Sequence, residues 1–162
     1  MKPLVPILIC AALLGLGGCV NLSRSEALAP IAGAAGYRVA GVNLTLDPEI
    51  ETTPEFAGIF QARVQAELDG CAQGQRPLHL EASISRLDRA NPVQVAVIGG
   101  ANVLRGRARL IDPATGHVVG NYEIGRTVIG ARIAVFEMAE SEEQLSTAFG
   151  QELCDLAFST TD

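Results

Sequence analysis

An unbroken alternation of apolar and polar residues runs through Leu78-His79-Leu80-Glu81-Ala82-Ser83-Ile84-Ser85. Successive side chains of a β-strand point to opposite faces, so this pattern predicts a strand with one buried face and one face in water. The strand is predicted to extend to Arg89, and the alternation breaks at Arg86-Leu87, which is typical of a β-bulge. Such a half-buried strand belongs to a sheet that is covered on one face only.

A β-hairpin is predicted after this strand, with strands over Ala101–Asp112 and His117–Ile129. The intervening Asp112-Pro113-Ala114-Thr115-Gly116 is rich in residues that favour turns. The residues expected to face the core are Leu104, Gly106, Ala108 and Leu110.

The register of the hairpin follows if the faces match across the turn. Gly106 would then lie opposite Tyr122, and Arg105 opposite Glu123. A different turn type would shift this register by one residue.

One more strand and a helix are predicted before Leu78. The strand covers Tyr37–Leu46, and the residues on its apolar face are Ala40, Val42, Leu44 and Leu46. Thr52 or Thr53 is expected to cap the helix, which has Pro54 in its first turn. Its apolar stripe consists of Phe56, Phe60, Val64 and Leu68.

The last helix is predicted from about Ser141 to Phe158, with Ser141-x-x-Gln144 as a capping box. The acidic residues of Glu137–Glu143 are expected to form its solvated start. The element order is therefore strand, helix, strand, strand, strand, helix. This order predicts an α+β fold in which two helices pack on one face of a four-stranded, mostly antiparallel sheet.

The first nineteen residues have the pattern of a secretory signal: Lys2, an apolar run and the small residues Gly17 and Gly18. The cysteine that follows, Cys19, makes this stretch resemble the lipobox of bacterial lipoproteins. The resemblance implies that residues 1–18 are removed and that Cys19 is acylated on sulfur, with palmitate as an expected acyl group. An ordinary signal peptide with an incidental cysteine is the alternative.

Two further segments follow from this boundary. Residues 19–36 are rich in Ser, Ala and Gly and are interpreted as the lipidated cysteine with a flexible linker. Residues 37–162 are interpreted as a single periplasmic domain.

The chain is acidic, with 18 Asp and Glu against 12 Lys and Arg and a formal net charge of −6. Such a charge gives no electrostatic reason to bind nucleic acid or an anionic lipid surface. Membrane association would therefore come from the lipid on Cys19. Val20 rather than an aspartate follows that cysteine, and the sorting rule of enteric bacteria then favours the periplasmic face of the outer membrane over the inner membrane.

The lipobox-like stretch, the element order and the hairpin sequence Asp112-Pro113-Ala114-Thr115-Gly116-His117-Val118-Val119 resemble small proteobacterial envelope lipoproteins of uncharacterised families. The strand order also looks like that of the lipopolysaccharide-assembly lipoprotein and of the small domain of curli-pore lipoproteins. The resemblance implies an envelope location and transfers no functional residue.

Two cysteines, Cys71 and Cys154, remain in the predicted mature chain once Cys10 and the lipidated Cys19 are set aside. An even pair in the oxidising periplasm usually forms a disulfide. The position of Cys154, opposite the centre of its helix's apolar stripe, argues against the bond. Cys154 could still reach sideways, or reach Cys71 in a loop folded around the helix edge.

The sequence contains no catalytic, cofactor or metal motif. It has no Gly-x-Ser-x-Gly, and Gly99-Gly100 lacks the residues of a phosphate-binding loop. The histidines His79 and His117 are not spaced as metal ligands. We therefore expect a non-catalytic protein without a cofactor, and an enzyme whose residues converge only in the fold is the alternative.

Arg105, Arg107 and Arg109 recur at every second position of one predicted strand. Like charges on one strand face are unfavourable unless they are paired. One interpretation is pairing with Glu81, Glu123 and other acids across the sheet. The other is contact with anionic groups, such as the acids of a protein partner or a lipid phosphate.

Two apolar segments flank the hairpin, and their residues are Val93, Val95, Val97 and Ile98 in one and Ile133, Val135, Phe136 and Met138 in the other. Both lie at the end of the sheet away from the hairpin turn, where together they would form a patch typical of an interface. The alternative is that they extend a strand and cap the core.

These features favour an interaction or scaffold component of an envelope complex, anchored to the membrane and bound to an envelope protein. The second function considered is an accessory lipoprotein that binds lipid or polysaccharide in envelope transport or assembly. The sequence leaves the oligomeric state open.

Overall fold

The computed structural model describes residues 29–88, 100–130 and 138–159. Its strands and helices in chain order are β1 (Tyr37–Leu46), α1 (Phe56–Cys71), β2 (Arg76–Asp88), β3 (Gly100–Ile111), β4 (Val118–Gly130) and α2 (Met138–Leu153). A 3-10 turn at Ala34–Gly36 precedes β1, and a π-helical turn at Cys154–Phe158 continues α2.

The spatial order of the strands is β1-β2-β3-β4. β1 and β2 are parallel, and the other two pairs are antiparallel. Both helices pack on one face of this sheet, because their apolar stripes join the inward residues of the strands in one core. The predicted α+β fold with two helices on a mostly antiparallel sheet is confirmed.

The core lies between the sheet and the two helices. In β2 the inward residues are Leu78, Leu80, Ala82 and Ile84, and in α1 they are Phe56, Phe60, Val64 and Leu68. Phe60 meets Phe149 of α2 edge-on, with ring centroids 5.1 Å apart. Periodicities of two and 3.6 residues therefore predicted the buried faces of β2 and α1 correctly.

Bulges change the faces of two strands. In β1 the register shifts between Val39 and Gly41, and Ala40, which was expected to face the core, is exposed. The extra residue at the bulge reverses the alternation, so that Val39 points inward on one side of it and Val42 on the other. In β2 a shift between Ile84 and Arg86 confirms the predicted bulge.

The hairpin register differs from the expected one by two residues. Gly106 pairs with Ile124, and Glu123 pairs with Arg107 rather than with Arg105. One residue of the shift comes from the turn, where Asp112 N–H donates to the carbonyl of His117 at 2.9 Å. The other comes from an irregularity between Leu110 and Ile111. A shift of two leaves every side chain on its expected face.

The starts of the helices also differ from the sequence prediction. α1 begins after Glu55, and neither threonine caps it, because the hydroxyl of Thr53 is bonded to Glu142 instead. α2 begins at Met138, so Ser141 lies inside its first turn and is not a capping residue.

The two helices run in the same direction, since each follows a strand that points the same way in the sheet. Their last turns therefore meet, and the predicted disulfide joins Cys71 to Cys154 with a Cα–Cα distance of 5.9 Å. The bond reaches sideways from α2 to α1 and leaves the apolar stripe of α2 on the core.

The segment just before β1 packs on the domain, although it was assigned to the flexible linker of residues 19–36. Ile31 is 7% exposed, and its N–H donates to the carbonyl of Ala157 at 3.1 Å. Tyr122 O–H donates to the carbonyl of Ala29 at 3.4 Å. One buried isoleucine and these hydrogen bonds make residues 29–36 part of the folded unit.

Candidate functional site

The sheet face that points away from the helices carries polar side chains in cross-strand rows. Arg109 lies beside Glu81 of β2, and its guanidinium is 2.9 Å from that carboxylate. Arg107 lies beside Glu123 of β4, at 2.7 Å. Two of the three predicted ladder arginines are thus paired with the acids that the sequence suggested. Because all four side chains are about half exposed, each pair contributes at most ~1 kcal/mol to stability.

Arg105 has different neighbours from the other two arginines. Its partner on β4 is Gly125, and its partner on β2 is Arg86. The carboxylate of Asp88 lies 2.5 Å from Arg86 and is paired with it. Within the part of the chain that the structure describes, Arg105 has no acidic partner, and its guanidinium is exposed.

A depression of about 580 Å³ surrounds Arg105 on this open face. The polar residues that line it are Ser83, Ser85, Arg105, Arg107, Glu123, Thr127 and Arg126, whose charge is paired with Glu152. Gly125 keeps the depression open because it has no side chain. A Cβ added at this position would enter the empty space, where its nearest neighbour would be Arg105 Cγ at 3.9 Å. We call this depression the Arg105 groove.

Among the described residues, the Arg105 groove offers one cation without an acidic partner together with several hydroxyl groups. The Ser85 hydroxyl donates to the backbone carbonyl of Arg105 at 3.4 Å and can accept from a ligand. A guanidinium presents a planar fork of donors that matches a carboxylate or a phosphate. The groove is therefore suited to a polar ligand that carries an anionic group.

Neither histidine belongs to this groove. His79 is exposed on the same sheet face one row beyond Arg109, and His117 closes the hairpin turn. Among the described residues, no group of three or more His, Cys, Asp and Glu could hold a metal ion. In those same residues, no helix combines the length and the apolar character needed to cross a membrane.

Several predicted functional residues lie outside the described part of the chain. These are the lipidation site Cys19 and the candidate interface residues Val93, Val95, Val97, Ile98, Ile133, Val135 and Phe136. Met138 is the first residue of α2. Gly100 and Gly130 are register partners, so the two segments that carry these residues adjoin the sheet at neighbouring points.

Two contacts made by charged side chains between elements were not predicted from the sequence. Glu142, which was expected in a solvated helix start, is 0% exposed and accepts from both the N–H and the hydroxyl of Thr53. Arg126 lies on the inner side of β4 and pairs with Glu152 of α2 at 2.9 Å. Helical spacing could have found the first, since Glu142 precedes Leu145 by three positions and Phe149 by seven. These contacts join elements, and Arg126 is also among the residues that line the groove.

The comparisons with known proteins identify the fold. No protein-family model matches the chain, and no curated protein is similar to it. The PelC dodecamer from Paraburkholderia phytofirmans superposes with a TM-score of 0.58 at 16% identity, over 86% of this chain and 99% of that chain. A variant of PelC in another crystal form gives a TM-score of 0.56 at 19% identity, with the same coverage.

Two other solved structures are more distant. A Xanthomonas campestris protein of the family model DUF330 superposes with a TM-score of 0.51 at 12% identity, over 78% of this chain and 87% of that chain. A candidate lipoprotein from Caulobacter crescentus, at 17% identity, covers 71% of this chain and 86% of its own. Its TM-score of 0.40 is too low to support an argument. At these identities the likeness concerns the fold alone.

Proposed function

We propose that this protein is a lipid-anchored envelope protein that acts, without catalysis, as a self-associating scaffold or interaction component of an envelope complex. The observation that carries the proposal is the likeness in fold to PelC, which assembles as a dodecamer, over 99% of the PelC chain. Because this likeness concerns the fold, self-association of the present chain is a proposal that must be tested directly.

The anchor in this proposal is a lipid on Cys19, at the periplasmic face of the outer membrane. Its support is the sequence Leu16-Gly17-Gly18-Cys19 after an apolar run. The variant Cys19→Ala should leave an unprocessed precursor and abolish labelling by an alkyne analogue of palmitate. Labelling that persists in this variant would contradict the anchor.

The proposed interface consists of the two apolar segments that adjoin Gly100 and Gly130. Their support is their composition and the register pairing of these two glycines, at which the segments join the sheet. Mutation of one residue in each, as in the double variant Val97→Asp with Phe136→Ser, should convert an oligomer of the full-length chain to monomers in sedimentation velocity.

A matched control distinguishes an interface from a general effect of charge. Val118 is 44% exposed and lies at the hairpin end of β4, away from Gly130. Val118→Asp should leave the oligomer intact. If the double variant instead lowers the melting temperature by more than ~10 °C, the two residues belong to the core and the proposed interface is wrong.

The second candidate function is the binding of lipid or polysaccharide in envelope transport or assembly. The Arg105 groove is the observation that favours it, since the groove is polar, open and holds a cation without an acidic partner among the described residues.

A further inference from the structure

We infer that the Arg105 groove binds an acidic sugar residue of a polysaccharide, whose carboxylate pairs with the guanidinium of Arg105. This inference gives a ligand class to the second candidate function and does not require self-association. Three properties of the groove carry it: its charge, its hydroxyl lining and its shape.

The charge of the groove fits a group with a single negative charge. Of the arginines that line the groove, Arg107 is paired with Glu123 and Arg126 with Glu152. Arg86, the cross-strand partner of Arg105, is paired with Asp88. Counted over the described residues, one positive charge therefore remains on the groove, in a chain whose net charge is −6. A carboxylate matches this charge, whereas a dianionic phosphate would bring a second negative charge that has no unpaired cation among the described residues of the groove.

The lining of the groove fits the hydroxyl groups of a sugar. Ser83, Ser85 and Thr127 supply hydroxyls that both donate and accept, and Glu123 supplies an acceptor. The large aliphatic side chains of the described lining are Val103 and Ile124, of which Ile124 is 2% exposed, and the described lining has no aromatic side chain. An acyl chain would find little apolar surface in such a groove, since lipid-binding sites are lined predominantly by hydrophobic side chains.

The shape of the groove fits a segment of a longer chain. The groove lies on the open face of the sheet, and β4 is an edge strand whose Gly125 adds no side chain to it. A volume of about 580 Å³ lies in the range of small-ligand sites, and the described residues leave the groove open to solvent, as a segment of a longer polymer requires.

The test is isothermal titration calorimetry of the full-length chain in zwitterionic detergent. The ligand is trigalacturonate, and neutral maltotriose is the comparison probe. Trigalacturonate should bind and maltotriose should not. Arg105→Gln should weaken binding at least ~10-fold, the loss expected when one charge-assisted hydrogen bond is removed. Gly125→Val should weaken it as much by filling the groove, and valine is well tolerated in strands.

The matched control is Arg109→Gln, which removes the same charge from the same strand and face but from outside the groove lining. The affinity of this variant for trigalacturonate should stay within about twofold of that of the unaltered protein, because salt screens a charge outside the groove. An equal loss in Arg105→Gln and Arg109→Gln, or no binding of trigalacturonate at all, would overturn the inference.

Two further measurements separate the alternatives. Binding to vesicles that contain phosphatidylglycerol, without any response to trigalacturonate, would assign the groove to a lipid phosphate and overturn the sugar assignment. Sedimentation of Arg105→Gln should match that of the unaltered chain. Loss of sugar binding and loss of self-association are therefore measured separately, so that either proposal can be wrong without the other.

Discussion

At the scale of single residues, the buried carboxylate of Glu142 depends on Thr53 from the segment before α1. The hydroxyl of Thr53 donates to it at 2.5 Å. Thr53→Val keeps the shape of the side chain and removes this donor, which should cost ~1.5–3 kcal/mol because the acceptor is charged and buried. The melting temperature should fall by roughly 5 °C or more.

The neighbouring Thr52 provides the control for that prediction. Thr52→Val makes the same chemical change one residue away, and no bond from the Thr52 side chain is found within the described residues. Thermal unfolding followed by circular dichroism should show little change. An equal loss in both variants would show that the contact with Glu142 does not stabilise the fold.

Gly106 and Gly125 give a second residue-level prediction, because they lie on adjacent strands with different surroundings. A Cβ at Gly106 would lie 2.7 Å from the backbone oxygen of Ser83, whereas one at Gly125 has no neighbour nearer than 3.9 Å. Gly106→Ala should destabilise the domain by ~1–3 kcal/mol through overpacking. Gly125→Ala should be neutral or slightly stabilising in urea denaturation. Similar midpoints for the two variants would contradict the close approach of β2 and β3.

At the scale of elements, the disulfide ties the last turns of α1 and α2 together. Cys71 and Cys154 are 83 positions apart, and the chain-entropy model gives a bond across such a loop about 4–5 kcal/mol. Replacing both cysteines by serine should lower the free energy of unfolding by roughly this amount. The unaltered protein with dithiothreitol should match the double variant, and the double variant should not respond to dithiothreitol.

The sequence predicted elements better than it predicted the relations between them. Alternation identified β2 and its inward residues, because burial on one side imposes a period of two on the side chains. It misplaced Ala40, since a bulge adds one residue without a clear signal in composition. The hairpin register also depended on hydrogen bonds of the turn that the residue types alone do not determine.

The candidate site was predicted only in part, because its charge pairs depend on the register between strands. The sequence identified Arg105, Arg107 and Arg109 as one face and proposed acidic partners for them, and two of the three pairs are present. Which arginine lacks an acidic partner in the described chain depends on the register shift of two, which places Glu123 beside Arg107 and Gly125 beside Arg105. A groove that depends on pairing across three strands cannot be predicted from one of them.

At the scale of the whole molecule, the packed segment before β1 limits how far the domain can be from its anchor. Ten positions separate Cys19 from Ala29, where the described chain begins (29 − 19 = 10). A fully extended chain of ten residues spans at most ~35 Å. A lipid on Cys19 would therefore keep every copy of the domain near the membrane surface and raise the local concentration for self-association.

Charge opposes that association, which gives a prediction for the assembled protein. Copies with a net charge of −6 repel each other, and salt screens this repulsion as the Debye length falls from ~10 Å at 0.1 M to ~3 Å at 1 M. If the apolar segments form the interface, a higher sodium chloride concentration should increase the oligomeric fraction of the full-length chain. Sedimentation velocity measures this fraction between about 0.05 and about 0.5 M salt, a range over which the Debye length falls through ~10 Å. The double variant Val97→Asp with Phe136→Ser should remain monomeric throughout, which would exclude non-specific salting out. Dissociation of the unaltered protein by salt would instead indicate that ion pairs hold the copies together and that the apolar segments do not form the interface.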